Sequence, residues 1–122
     1  MPSALCALVV DDVAAVRSYI SQILLSLGVV SVLEAADGDS ATKLFSQHRP
    51  DLVFLDIQLP DINGQQLLKR FRQQNENAVV FMVSAFSSVD NLKMAVENGA
   101  RAFVVKPFTI NRIHKLVQPL LH

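Results

Sequence analysis

Asp11, Asp12, Asp56 and Lys106 are the side chains of this sequence whose types and places point to chemistry. Each stands at the C-terminal end of a short apolar run, the runs being residues 4–10, 52–55 and 102–105. Were these runs parallel strands, their ends would share one sheet edge, and three carboxylates and one ammonium would converge on a pocket. Carboxylates held that close repel one another, which raises their pKa values and destabilises the empty site. A sequence bears that cost where a divalent cation is to be held, and hard oxygen ligands with water left in the shell suit Mg2+. The lysine then offers a point charge to an anion beside the metal. An acid cluster for Mg2+ and a lysine for an anion describe a phosphoryl site.

The elements that must position these groups follow from periodicity. Residues 4–10 are nearly continuous in apolar side chains, as in a strand buried on both faces. Val13, Val16, Ile20, Ile23, Leu24 and Leu27 recur at helical spacing, and Gly28 stands where a helix C-terminal glycine belongs. Residues 29–33 are expected as the second strand. Asp37-Gly38-Asp39 is a turn and cap, and Ala41, Leu44 and Phe45 mark a second helix, broken by Pro50 and Asp51. The third strand, 52–55, ends in Asp56, and the loop 57–64 leads to a helix marked by Leu67, Leu68 and Phe71. Residues 78–83 form the fourth strand, ending in Ser84. A helix through Val89, Leu92, Ala95 and Val96 stops near Gly99. After the strand 102–105, Ile110, Ile113, Val117 and Leu120 define a last helix, which Pro119 should end or kink. Strict strand-helix alternation implies an open, doubly wound parallel α/β sheet with helices on both faces, and ligands of such folds bind beyond the strand C-termini. Asp12, Asp56, Ser84 and Lys106 all fall at that edge.

Length and composition leave room for one domain over residues 1–122, with about half the residues apolar. Eleven basic and eleven acidic side chains cancel, so no overall field favours nucleic acid or a membrane surface. No apolar stretch approaches a membrane span, and Met-Pro-Ser-Ala lacks the basic start of a signal peptide. Cys6, the one cysteine, is expected as a small buried hydrophobe, and a chain without an internal disulfide fits a reducing cytoplasm. His48, His114 and His122 lie in polar or terminal settings and are expected at the surface.

In four separated segments the chain resembles the receiver domains of two-component response regulators. They are Val-Val-Asp-Asp at 9–12, Leu-Asp-Ile-Gln-Leu-Pro-Asp-Ile-Asn-Gly at 55–64, Val-Ser-Ala at 83–85 and Val-Lys-Pro-Phe at 105–108. The resemblance covers essentially the whole chain. It implies a flavodoxin-like (βα)5 fold with strand order 2-1-3-4-5. It also implies a role for each matching residue. Asp56 would be the phosphoacceptor, Asp12 a direct Mg2+ ligand and Asp11 its water-mediated partner, with the Gln58 backbone carbonyl completing the protein ligands. Lys106 would contact a phosphoryl oxygen, and the Lys106-Pro107 peptide would be cis. Ser84 would be the switch hydroxyl and Phe103 the switch aromatic that turns inward with it. The implied partners are a histidine kinase or histidine phosphotransfer protein as donor and an output target on the helix 4, strand 5, helix 5 face. That face would include some of Lys93, Met94, Glu97, Asn98, Arg101, His114 and Lys115. A homodimer is left open, as is whether the native protein continues past His122.

Each residue has a plainer competitor. Asp11 and Asp12 alone would be a strand end and a helix cap, Ser84 a turn residue, Phe103 core and Lys106 a solvated charge. Val13 stands where the family often has a polar cap, so helix 1 is expected to rely on Asp12. Phe86, two residues after Ser84, either packs on its loop or shields the phosphoryl group from water. Rival classes fit less well. An aspartyl-phosphate phosphohydrolase resembles a pattern with an acid two residues after the nucleophile, where this chain has Gln58. A flavin carrier on the same fold would place a phosphate where Asp11-Asp12 would repel it. A degenerate receiver serving only as an interaction module usually lacks an acid or the lysine, and both are present here.

Overall fold

A computed structural model describes residues 5–121, so the expectations for residues 1–4 and for His122 lie outside the described residues. Five strands and five helices alternate: β1 (Cys6–Val10), α1 (Ala14–Ser26), β2 (Ser31–Ala35), α2 (Gly38–His48), β3 (Leu52–Leu55), α3 (Gly64–Gln74), β4 (Val79–Ser84), α4 (Val89–Glu97), β5 (Ala102–Val105) and α5 (Ile110–Val117). The strands form one parallel sheet in the order β2-β1-β3-β4-β5. This is the flavodoxin-like order that the resemblance implied.

Alternation along the central strands sorts the core into two layers. Ala7 and Val9 of β1 pack with Ile20, Ile23 and Leu24 of α1 and Ile113 and Val117 of α5. Leu8 and Val10 pack on the other face with Phe45 of α2, Leu67, Leu68 and Phe71 of α3 and Ala95 of α4. Strands buried on both faces need continuous apolar runs, which is why β1 and β3 read that way. Phe54, Phe81, Leu8 and Leu55 are fully buried, and each contributes roughly 1.5–3 kcal/mol by leaving water. On the α2–α3 side, Phe45 and Phe71 stack with ring centroids 4.1 Å apart.

Element ends explain where the sequence reading shifts. β2 begins at Ser31, two residues later than expected, because the Val29 amide closes α1 by donating to the Leu24 carbonyl (3.1 Å). Gly28 makes that closure at φ +100°, a left-handed conformation that favours glycine. β4 begins at Val79 because the Ala78 amide is taken by the Asn75 carbonyl (3.2 Å). α2 ends at a left-handed Arg49 (φ 47°), one residue before Pro50. As Pro119 required, α5 stops at Val117 and a single 3-10 turn, Gln118–Leu120, follows.

Asp12 does not cap α1. Val13 occupies the N-cap position without a side-chain hydrogen bond, and its own amide donates to Asp11 Oδ1 (2.9 Å). The bond selects Asp11 over Asp12, leaving the Asp12 side chain exposed.

Candidate functional site

The sheet edge builds the site from ladder hydrogen bonds that run one residue past the strands. The Asp11 amide donates to the Ala35 carbonyl (3.1 Å) and the Asp56 amide to the Val10 carbonyl (3.0 Å), which sets the two aspartates side by side. On the neighbouring strands, the Lys106 amide donates to the Ser84 carbonyl (3.0 Å). The Lys106-Pro107 peptide is cis.

Lys106 Nζ bridges the acids, 2.5 Å from Asp11 Oδ2 and 2.9 Å from Asp56 Oδ2. Asp11 and Asp56 are buried, at 2% and 6% exposure, whereas Asp12 faces solvent. Burial holds the Asp56 carboxyl above its ordinary pKa of 3.8; the Asp11 charge pushes the same way, and the hydrogen bond and charge of Lys106 oppose it without cancelling it. For Lys106, burial alone would favour the neutral amine. Its hydrogen bonds to Asp11 and Asp56 outweigh that and hold it above the usual 10.5, so it remains an ammonium.

One carboxylate oxygen from each of Asp11, Asp12 and Asp56 lies within 4.8 Å of the others. All the donors are hard oxygens, and the exposed Asp12 leaves a solvent-facing side where waters can complete a shell, so the set fits a small divalent cation such as Mg2+.

Backbone contacts fix the rest. Asp56 Oδ1 accepts from the Gln58 amide (3.2 Å). The Gly64 amide donates to the Ile57 carbonyl (2.7 Å), and a β carbon on Gly64 would lie 2.0 Å from the Asp56 carbonyl oxygen, so only glycine admits this return. Ser84 is fully buried, and its Oγ accepts from the Phe86 amide (3.1 Å). Phe103 is half-buried against the core on the α2–α4 side, and the Phe86 ring is half-exposed. His48 is exposed and His114 half-buried. Arg17 was not singled out from sequence; its guanidinium donates to the Asp11 carbonyl (2.7 Å) and pairs with Glu34 (3.3 Å). No sequence pattern marks that role, because it depends on β2 lying beside β1.

An apolar cavity of about 510 Å3 adjoins Lys106, lined by Ala15, Val16, Tyr19, Ala85, Pro107 and Phe108. The charged pocket therefore has an oily shoulder on the α1 side.

A parallel sheet of this order, with acids and a lysine on its C-terminal edge, defines a class of signalling domain, and sequence comparison places the chain within it. The family model of the response regulator receiver domain matches residues 7–118, and the chain belongs to that family. Among curated relatives, the chemotaxis protein CheY of Bacillus subtilis (strain 168) is 36% identical over 115 residues, covering 94% of this chain and 96% of that protein. Sporulation initiation phosphotransferase F of the same organism is 32% identical over 114 residues, covering 93% and 91%. Among solved structures, a CheY-like response regulator receiver domain protein from Methanospirillum hungatei JF-1 superposes with a TM-score of 0.90 at 26% identity, covering 97% of this chain and 94% of that one. The phosphoacceptor role is general to this family, and the domain serves signalling. None of the helices among the described residues is long and apolar enough to cross a membrane.

Proposed function

We propose that the chain, taken as one receiver domain over residues 1–122, accepts a phosphoryl group on Asp56 from a phosphohistidine of a histidine kinase or histidine phosphotransfer protein. The observation that carries this reading is the convergence of buried Asp56 with Lys106 and two further acids. A carboxylate oxygen of Asp56 attacks phosphorus, the phosphorus–nitrogen bond of the donor breaks, and the electron pair stays on the imidazole. Hydrolysis reverses the modification: water attacks phosphorus, the phosphorus–oxygen bond breaks, and the Asp56 carboxylate and inorganic phosphate result.

This chain's residues hold and orient. Asp12 and Asp56 would be the direct ligands for Mg2+, with Asp11 acting through water and the Gln58 carbonyl completing the set. When bound, the cation would neutralise charge gathering on the phosphoryl oxygens. Lys106, kept charged by Asp11 and Asp56, can leave Asp56 for a phosphoryl oxygen while keeping Asp11. The Ser84 hydroxyl, now satisfied by the Phe86 amide, re-aims at the new phosphoryl oxygens, and Phe103 turns inward as the loop follows. The output surface is the α4, β5, α5 face, where Val89, Met94, Val96, Val105 and Ile110 are exposed apolar side chains. We place the protein in the cytoplasm, with the output target or a second copy meeting that face.

Intact mass after acetyl phosphate and Mg2+ tests the reading. One added phosphoryl group is expected on the wild type and none on Asp56→Asn. Equal labelling of both would overturn it.

A further inference from the structure

The loop between β3 and α3 carries both Asp56 and Gln58, and it is latched at two points. At its base, Gly64 returns to Ile57, and Gln58 and Asn63 form an isolated antiparallel bridge. At its tip, Asp61 reaches across to another element. Its Oδ1 accepts from the Gly38 amide (2.8 Å) and its Oδ2 from the Asp39 amide (3.0 Å), the first two amides of α2. Both carboxylate oxygens are used, on donors that α2 cannot satisfy itself and at the positive end of its dipole. α2 already has its own cap, since Asp37 Oδ1 accepts from the Ser40 amide (2.8 Å). The Asp61 contact is therefore an addition that ties the loop down. The fit is close: a β carbon on Gly38 would lie 2.2 Å from Ile62 Cγ2.

We propose that Asp61 is a positioning residue for the acid pocket, its carboxylate clamping the loop on α2 so that Gln58 stays against Asp56. The inference rests on the reading above, in which Asp56 and the Gln58 carbonyl hold the cation. A loop freed at its tip keeps its covalent path but lets Gln58 wander from the Asp56 carboxylate, which weakens a site made of ligands on separate elements. Outer contacts that orient metal ligands typically change affinity by about tenfold or more when removed.

The test compares three variants, and Asp61→Asn as a conservative rescue, with wild type. Asp61→Ala removes the clamp, Gly38→Ala displaces Ile62 from the opposite side, and Asp37→Ala removes the helix cap alone. Isothermal titration with MgCl2 reads affinity, thermal melts read stability, and amide hydrogen exchange at Gln58 reads the loop without metal. Weaker Mg2+ binding by about tenfold in Asp61→Ala and Gly38→Ala, part of it restored in Asp61→Asn, with Asp37→Ala unchanged, is the expected result. A lower melting temperature in Asp61→Ala with unchanged Mg2+ affinity overturns the proposal, as does equal weakening in all three variants. A wild type that binds no Mg2+ overturns the cation reading instead. The clamp then stands or falls on Gln58 exchange, faster in Asp61→Ala than in Asp37→Ala or the same in both.

Discussion

Asp56, the proposed nucleophile, is held at some cost to the fold. Its folded pKa is raised, chiefly by burial, so the native state binds its proton more tightly than the unfolded chain does. Stability attributable to this group is then highest at low pH and falls as pH rises from the ordinary value of 3.8 through the raised one. Asp56→Asn has no such titration. In EDTA, the variant should gain on wild type steadily as pH climbs through that window, and urea melts at a series of pH values will show it. A second expectation concerns Phe86. Its half-exposed ring stands two residues beyond Ser84 and cannot orient water. Phe86→Ala and Phe86→Glu should therefore lose phosphate faster than wild type at saturating Mg2+, and unchanged decay rates would assign the ring to loop packing alone. The convergence of Asp11, Asp56 and Lys106 was legible because strand ends place residues without knowledge of side-chain contacts. Asp61 and Arg17 were not, because their partners at Gly38, Asp39 and Glu34 are brought close only by neighbouring elements.

At the level of elements, periodicity located every strand and helix, and the misses sit at their ends. Val29 is apolar and looked like strand, but an amide spent on closing a helix cannot join a ladder. The uncapped start of α1 invites repair. Val13 is extended (φ −96°, ψ 112°) and exposed, so a serine there has the backbone an N-cap needs. Val13→Ser should stabilise the protein by about 0.5–1 kcal/mol, read as a higher urea midpoint with an unchanged slope. The stacked Phe45 and Phe71 rings hold α2 against α3. Phe71→Ala should cost about 3–5 kcal/mol, because Phe71 is only 1% exposed and its cavity cannot refill.

On the scale of the whole molecule, the proposed cation site would couple Mg2+ binding to folding. Mg2+ at ten times its dissociation constant should stabilise the native state by about 1.4 kcal/mol. Asp12→Asn should lose most of that gain and, with one fewer mutually repelling carboxylate, melt no lower than wild type in EDTA. Paired thermal scans with and without Mg2+ decide both points.

The helices are unequally moored. Five residues of α3 are buried, whereas Ala95 is the only buried residue of α4. A string of single hydrogen bonds leads from β4 through α4 to α3: Ser84 Oγ accepts from the Phe86 amide, the Phe86 carbonyl from Asn91 Nδ2, and the Asn91 carbonyl from Gln65 Nε2. The Gln65 Oε1 is buried with no partner, so even the last knot is incompletely tied. An element fastened by so little is compliant, and a small reward elsewhere suffices to shift it. Native-state exchange should find the α4 amides opening well before those of α3. Gln65→Leu should loosen α4 further, and equal protection of the two helices would show it to be as stiff as its neighbours.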